Sequence, residues 1–235
     1  MQSKGKLYLL PTPLGTEGLE VLPQYVLDII HGLSIFIAEK AKTARHFIKA
    51  TKHPSPIQEL VFFELNKRID SSEWQQYLKD ANDGIDIGLL SEAGCPGVAD
   101  PGAEIVKLAH QKGIEVVPLV GPSSILLALM GSGMSGQQFA FHGYLTPKKE
   151  LLPKELKRLE ITAKKYKQTQ IFIETPYRNN QIIDQAFKHL SGHTHFCIAM
   201  DLTLSSQYIV TKQIADWKKT KLPDVHKRPA VFLIY

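Results

Sequence analysis

The fourteen residues from Leu89 to Gly102, LLSEAGCPGVADPG, carry the most concentrated chemical signal in the chain. They continue an apolar run, residues 85–90, that reads as a buried strand. They lead into residues 103–112, where Ile105, Val106, Leu108 and Ala109 recur at helical spacing. Between strand and helix, three glycines (Gly94, Gly97, Gly102) and two prolines (Pro96, Pro101) fall within nine residues. Glycine admits positive φ and lets a ligand approach the backbone, while proline stiffens the turn and withholds a donor. Asp100-Pro101 reads as a helix entrance, with an N-cap carboxylate followed by proline at the first helical position. A loop this constrained at the carboxyl end of a strand is where open α/β sheets bind ligands; a plain connection needs only about 2–6 residues. The chemistry expected here is recognition of a ligand by the turn Gly94-Cys95-Pro96-Gly97-Val98.

Other motifs exclude other chemistries. His193-Thr194-His195 resembles half of a metal site, but no cysteine or third histidine stands at zinc spacing, and a turn-to-strand junction accounts for it. No Gly-x-x-x-x-Gly-Lys-Ser/Thr loop and no Gly-x-Ser-x-Gly elbow occurs, which argues against nucleotide hydrolysis and an α/β-hydrolase nucleophile. Gly131-Ser132-Gly133-Met134-Ser135-Gly136 spells the dinucleotide fingerprint, yet it ends a helix and precedes a strand, the reverse of the required context. Cys95 and Cys197 have neither metal nor redox spacing, so a reduced cytosolic setting is expected, without a metal. Residues 1–6 lack the apolar core of a signal peptide. The most apolar segment, 119–130, is interrupted by Gly121 and Pro122 and is too short to span a bilayer. A formal charge of +5 leans gently towards an anionic partner. In residues 148–167 the lysines and Arg158 outnumber Glu150, Glu155 and Glu160, a solvated helix face with the capacity to touch phosphate.

The elements that must position these residues alternate. A strand at 6–10 runs into the stiff loop Pro11-Thr12-Pro13-Leu14-Gly15-Thr16. A helix with Leu19, Val21, Leu22, Val26, Leu27, Ile29 and Ile30 follows, and then a strand at 33–38 ending at Glu39-Lys40. An amphipathic helix at 43–51, a strand at 57–63 and a polar helix at 71–81 precede the central loop; a strand at 115–118 follows its helix. Such alternation, on 235 residues that are 43% hydrophobic, argues a parallel sheet with right-handed crossovers. Beyond Gly121-Pro122-Ser123 the pattern changes. Ser123 caps a helix at 125–130 that is apolar on every side and therefore expected to be buried. Strands at 139–144, 170–173, 195–200, 207–211 and 230–235, with helices at 148–167 and around Ile182–Leu190, predict a mixed sheet. Two α/β domains, 1–120 and 121–235, would leave a cleft between them, a common place for a small-molecule site.

Read together, Leu9-Leu10-Pro11-Thr12-Pro13-Leu14-Gly15, Ala38-Glu39, Ser91 to Gly102, Pro118 to Ser124, Phe141 to Leu145, Glu174 to Arg178 and Leu202-Thr203 resemble the tetrapyrrole-methylase superfamily. Within it the likeness is to enzymes that methylate a cytidine 2′-hydroxyl in small-subunit ribosomal RNA, and it covers nearly the whole chain. The resemblance implies a two-domain α/β fold, a mostly parallel N-terminal and a mixed C-terminal sheet, S-adenosylmethionine in the cleft between them, and a homodimer. Matching positions put the cofactor against Leu14, the Gly94–Val98 turn and Ser123-Ser124, and against Ile173, Leu202 and Pro229-Ala230. Methyl transfer asks a protein mainly to align donor and acceptor and to exclude water. A ribose hydroxyl would also gain from a nearby proton acceptor, for which Glu39, Glu174 and Asp201 are the candidates, Glu39 foremost. Lys42, Arg45, Lys148, Lys149 and Arg178 are the cations expected to meet RNA phosphates.

The chain departs from that pattern on the substrate side. Glu-Asp-Thr-Arg becomes Glu39-Lys40-Ala41-Lys42, Asp-Ala-Gly becomes Glu92-Ala93-Gly94, and Arg-Glu-Leu-Thr-Lys becomes Met200-Asp201-Leu202-Thr203-Leu204. Ser-Pro-His-Arg survives as Thr175-Pro176-Tyr177-Arg178. Two other readings therefore stand beside the RNA methyltransferase: a methylase of a small anionic molecule such as a tetrapyrrole, and a cofactor-binding protein without catalysis.

Overall fold

The computed structural model describes residues 3–15, 18–65 and 73–235. They form two compact units, Met1–Ser123 and Ser124–Tyr235. In the first, strands β1 (Leu7–Leu10), β2 (Ile35–Ala38), β3 (Val61–Glu64), β4 (Ile87–Leu90) and β5 (Val116–Pro118) make an all-parallel sheet in the order β3-β2-β4-β1-β5. Every residue of β2 and β4 is buried, as a parallel sheet covered on both faces requires. Helices α1 (Gln24–His31), α2 (Ala41–Ala50) and α3 (Gly102–Gln111) supply the cover. Val26, Ile30 and Ile48 pack with Leu10 and Phe36 in one cluster, and Ile105 and Ala109 pack with Leu7, Ile37 and Ile87 in another. Leu10, Leu90 and Ala38 pair in one row, so the loops leaving β1, β4 and β2 start level with one another.

Three local expectations are corrected. The helix expected from Leu19 to Ile30 is split into a 3-10 turn, Leu19–Val21, and α1, because Pro23 between them cannot donate within a helix and serves as the N-cap of α1. Ser71 and Ser72 lie outside the described residues; the rest of that polar segment forms two 3-10 turns, Glu73–Leu78 and Asp80–Asp83, with Trp74, Leu78 and Ala81 inward. Asp100 sits one residue earlier than expected. Pro101 is the N-cap of α3 and Gly102 its first residue, yet the Asp100 carboxylate still accepts the Gly102 N–H at 2.8 Å.

The second unit comprises α4 (Ser124–Ser132), β6 (Phe139–Tyr144), α5 (Leu152–Tyr166), β7 (Thr169–Glu174), α6 (Asn179–His189), β8 (His195–Met200), β9 (Tyr208–Gln213), α7 (Ile214–Trp217) and β10 (Ala230–Ile234). Its sheet runs β6-β7-β10-β8-β9 and is mixed: β6 and β7 are parallel and every other neighbour is antiparallel. Phe172, Phe196 and Phe232 stack across β7, β8 and β10 with centroids 5.5 and 5.9 Å apart. Trp217 closes that core, its Nε1–H donating to the Phe196 carbonyl at 2.7 Å. Helix α4 is a further correction. Ala128 and Leu129 are buried, but Leu126 is 50% and Met130 78% exposed. Its own sheet packs against one face of the helix, and periodicity cannot show how much of the opposite face stays exposed.

On α5, Glu160 is almost wholly enclosed. It accepts hydrogen bonds from the Ser191 N–H at 2.7 Å and from the Thr194 hydroxyl, and Lys157 Nζ stands 2.6 Å away. Burial alone would raise its pKa; the Lys157, Thr194 and Ser191 donors outweigh that and hold the carboxyl below its ordinary value.

Candidate functional site

The loops after β1 and β4 clasp each other. Thr12 and Gly94 each donate an N–H to the other's carbonyl at 3.0 Å, and the Ser91 hydroxyl donates to the Gly94 carbonyl at 2.7 Å. The central turn then bends sharply, with positive φ at Gly94 (77°), Gly97 (83°) and Ala99 (60°). Asp100 Oδ1 fixes it by accepting the N–H groups of Gly97 and Gly102 at 2.9 and 2.8 Å. The other Asp100 oxygen is buried without a hydrogen-bond partner among the described residues, and burial pushes this carboxyl above its ordinary pKa.

Two glycines here have different reasons. A Cβ on Gly97 would meet no atom within 4 Å, so open space lies over a backbone that L side chains rarely adopt. A Cβ on Gly121 would lie 2.1 Å from Pro11 Cβ, so that glycine is required by packing between loops. Leu14 packs over Gly94, Pro96 is buried and Val98 is exposed. The Cys95 thiol lies 3.4 Å from the Pro122 carbonyl, and burial raises its pKa, the setting of a structural thiol rather than a nucleophile. Ser123 and Ser124, the latter opening α4, are partly buried.

Beside this clasp the first unit carries a cleft of about 1360 Å³, more than the roughly 300–1,000 Å³ of an ordinary small-molecule pocket. Thr12 to Gly15, Ala38 and Leu90 to Glu92, at or just beyond three strand ends, line it together with Lys42, Arg45, His46 and Lys49 of α2. Two of the expected phosphate cations, Lys42 and Arg45, thus share this cleft with the loops that leave β1 and β4. Glu92 ties the walls together: Thr43 Oγ1 donates to its Oε1 at 2.6 Å, and Lys40 Nζ lies 3.3 Å from its Oε2. Lys40 and Glu92 both depart from the family pattern, and in space they answer one another. Glu64, at the end of β3, accepts the first N–H of α2 at 2.9 Å, placing a carboxylate at the helix N-terminus.

In the second unit another group of expected residues meets at one end of the sheet. Ala230 pairs with Glu174 on one side and Met200 on the other, which brings Ile173, Leu202, Pro229 and Ala230 to neighbouring strand ends. The backbone is strained there, with φ of 48° at Asp201 and 72° at Thr203. Asp201 Oδ2 accepts from Arg228 Nε and from the Ser206 hydroxyl, both at 2.7 Å. Glu174 is buried; Arg178 Nη1 lies 3.0 Å from its Oε2, and Arg178 Nη2 donates to the Thr146 carbonyl at 2.9 Å. Two of the three candidate carboxylates, and with them the expected phosphate cation Arg178, are therefore engaged in ion pairs that shape loops. Glu39, partly exposed, directly follows β2 next to the cleft residue Ala38. Lys148 and Lys149 are exposed in the turn that leads into α5.

Reading by sequence missed Arg228, the Lys40–Glu92–Thr43 link, and His46 and Lys49 of the basic face. For the link a signal existed: two departures from one pattern, of opposite charge. Among the described residues no helix is long and apolar enough to cross a membrane, and no three His, Cys, Asp or Glu side chains are grouped to hold a metal ion.

The family model described as Tetrapyrrole (Corrin/Porphyrin) Methylases matches residues 6–217. Ribosomal RNA small subunit methyltransferase I of Bacillus subtilis (strain 168) is 32% identical over 212 residues, covering 90% of this chain and 68% of that protein. Its namesake from Vibrio cholerae serotype O1 is 31% identical over 214 residues, covering 89% and 69%. The crystal structure of uroporphyrin-III C-methyl transferase from Thermus thermophilus complexed with S-adenyl homocysteine superposes with a TM-score of 0.58 at 15% identity, over 98% of this chain and 97% of that one, a likeness of fold. The match to the family model runs through both units and takes in the clasped loops and the ends of β7 and β8, and the chain belongs to the tetrapyrrole methylases.

Proposed function

We propose that this protein is an S-adenosylmethionine-dependent methyltransferase whose substrate is small-subunit ribosomal RNA, with a cytidine 2′-hydroxyl as the acceptor. The observation that carries the reading is a cleft walled by the loops after β1 and β4 on one side and by a helix face of four basic side chains on the other, the β4 loop running on into the glycine turn with open space over Gly97. The names of the relatives support the RNA, and the bound ligand named for the Thermus protein supports the cofactor.

The residues fit such a cofactor. Open space over the Gly97 backbone and the unpartnered oxygen of Asp100 suit a ligand that is read largely through hydrogen bonds and close approach. We assign its contacts to Leu14, Gly94 to Val98 and Ser123-Ser124, and in the second unit to Ile173, Leu202 and Pro229-Ala230. When bound, S-adenosylmethionine supplies a methyl group on a sulfonium that is already activated for displacement. The protein's tasks are to orient the acceptor oxygen in line with that methyl, keep water out and receive the hydroxyl proton. We assign the last task to the Glu39 carboxylate, which directly follows β2 next to the cleft residue Ala38. Lys42 and Arg45, with Lys148 and Lys149, are assigned to phosphate.

Glu39→Gln is expected to lower the methyl-transfer rate at least tenfold and up to the roughly 10²–10⁴-fold of a positioned base, with cofactor affinity by calorimetry nearly unchanged. Full turnover in this variant would leave alignment alone as the mechanism. Mass mapping of small-subunit ribosomal RNA from a deletion strain tests the substrate: one missing 2′-O-methyl cytidine is the expected result, and an unchanged map removes the RNA reading. The exposed Leu126 and Met130, one turn apart on α4, support a homodimer through that face, and a monomer in light scattering would refute it.

A further inference from the structure

The outer face of α2 is cationic in a regular way. Ala41, Ala44 and Ile48 are turned to the core, while Lys42, Arg45, His46 and Lys49 are exposed and line the cleft. At 100° per residue these four share one face, and 42, 45/46 and 49 step along it by one turn, about 5.4 Å, at a time. Among the described residues none of Lys42, Arg45 and Lys49 forms an ion pair; the nearby basic residue that does is Lys40, with Glu92. Among the described residues, Glu20 and Glu92 are the carboxylates lining the cleft, and Glu92 is engaged by Lys40 and Thr43. Arg45 is also braced, its guanidinium carbon 4.9 Å from the centroid of Phe62, which stacks in turn on Phe36 at 5.3 Å. A guanidinium held over a ring is pre-organised, and its N–H groups remain available for phosphate.

We infer that this face is a phosphate ladder for one extended strand of RNA, with Lys42, the Arg45/His46 pair and Lys49 meeting three consecutive phosphates; the inference rests on the RNA reading above and adds the path of the strand. The step of one helical turn suits neighbouring phosphates along a single strand. The ladder lines a cleft, and a groove with one row of cations suits a single strand, in which bases and riboses are open to an enzyme. The link from Glu92 to Lys40 and Thr43 fixes the amino end of the ladder against the loop that carries the glycine turn. Strand path and methyl-donor loop are thereby held in one frame.

The test uses the full chain, a twelve-nucleotide single-stranded RNA, the same sequence as a duplex, and binding measured over a range of salt. The single strand is expected to bind tighter than the duplex. Each of Lys42→Gln, Arg45→Gln and Lys49→Gln should reduce the slope of log affinity against log salt by about 0.7. Lys107→Gln, on α3 and paired with Glu104, should leave it unchanged, as should calorimetric S-adenosylmethionine affinity in every variant. A wild-type slope in all three α2 variants overturns the ladder while leaving the RNA reading intact. Tighter binding of the duplex also overturns it. A wild-type protein with no salt-dependent RNA affinity overturns both.

Discussion

Gly97→Val is expected to weaken S-adenosylmethionine binding at least a hundredfold, about 2.7 kcal/mol, while both units remain folded. Two effects act together. Gly97 holds φ at 83°, a region that costs L residues about 1–2 kcal/mol and a β-branched residue more, so the turn would shift to escape it. Its N–H would then leave Asp100 Oδ1, now 2.9 Å away, and the turn would lose the bond that shapes it. The second effect is occupancy. Nothing stands within 4 Å of the new Cβ, so the protein does not resist the side chain, and the valine fills the space assigned to the ligand. Gly97→Ala should fall between, sharing the strain but filling less. Calorimetric titration reads the affinity and circular dichroism the fold. A valine variant that binds with unchanged affinity would remove this turn from the cofactor site.

Glu160→Ala is expected to destabilise the second unit by about 2–5 kcal/mol without touching the cleft. It strands the buried Thr194 hydroxyl and the Ser191 N–H, each worth about 1–3 kcal/mol when left unpaired. For a chain of this size that is a fall of roughly 4–20 °C in melting temperature. The same carboxylate makes stability depend on pH. Its pKa is lower folded than unfolded, so its contribution is complete above the ordinary carboxylate value. It is lost as pH falls through that value to the lower, folded one. Denaturant melts of wild type and Glu160→Gln should therefore converge on acidification, the glutamine variant being weaker at neutral pH and flatter below it. Parallel pH profiles would mean that the carboxylate charge contributes nothing to this junction.

Much of this architecture is local and was legible in the chain. Short apolar runs at 7–10, 35–38 and 87–90 specify buried strands because backbone pairing accepts any side chain and only burial selects among them. The glycines and prolines of residues 94–102 specify a sharp turn after β4 because positive φ and a missing donor are properties of single residues. What the tertiary structure alone decided are matters of neighbourhood. Arg228 meets Asp201 across 27 residues because β10 runs antiparallel to β8, and Lys40 meets Glu92 across 52 because β2 and β4 lie side by side. Strand order is set by how crossovers pack, which no local pattern encodes. The burial of α4 was misread for the same reason: periodicity says which faces are apolar, and only the packed neighbours say which of them are covered. The partners of Glu174 and Asp201 were likewise out of reach of local pattern: a carboxylate after a strand looks the same in sequence whether or not an arginine meets it, and here the fold brings an arginine to each.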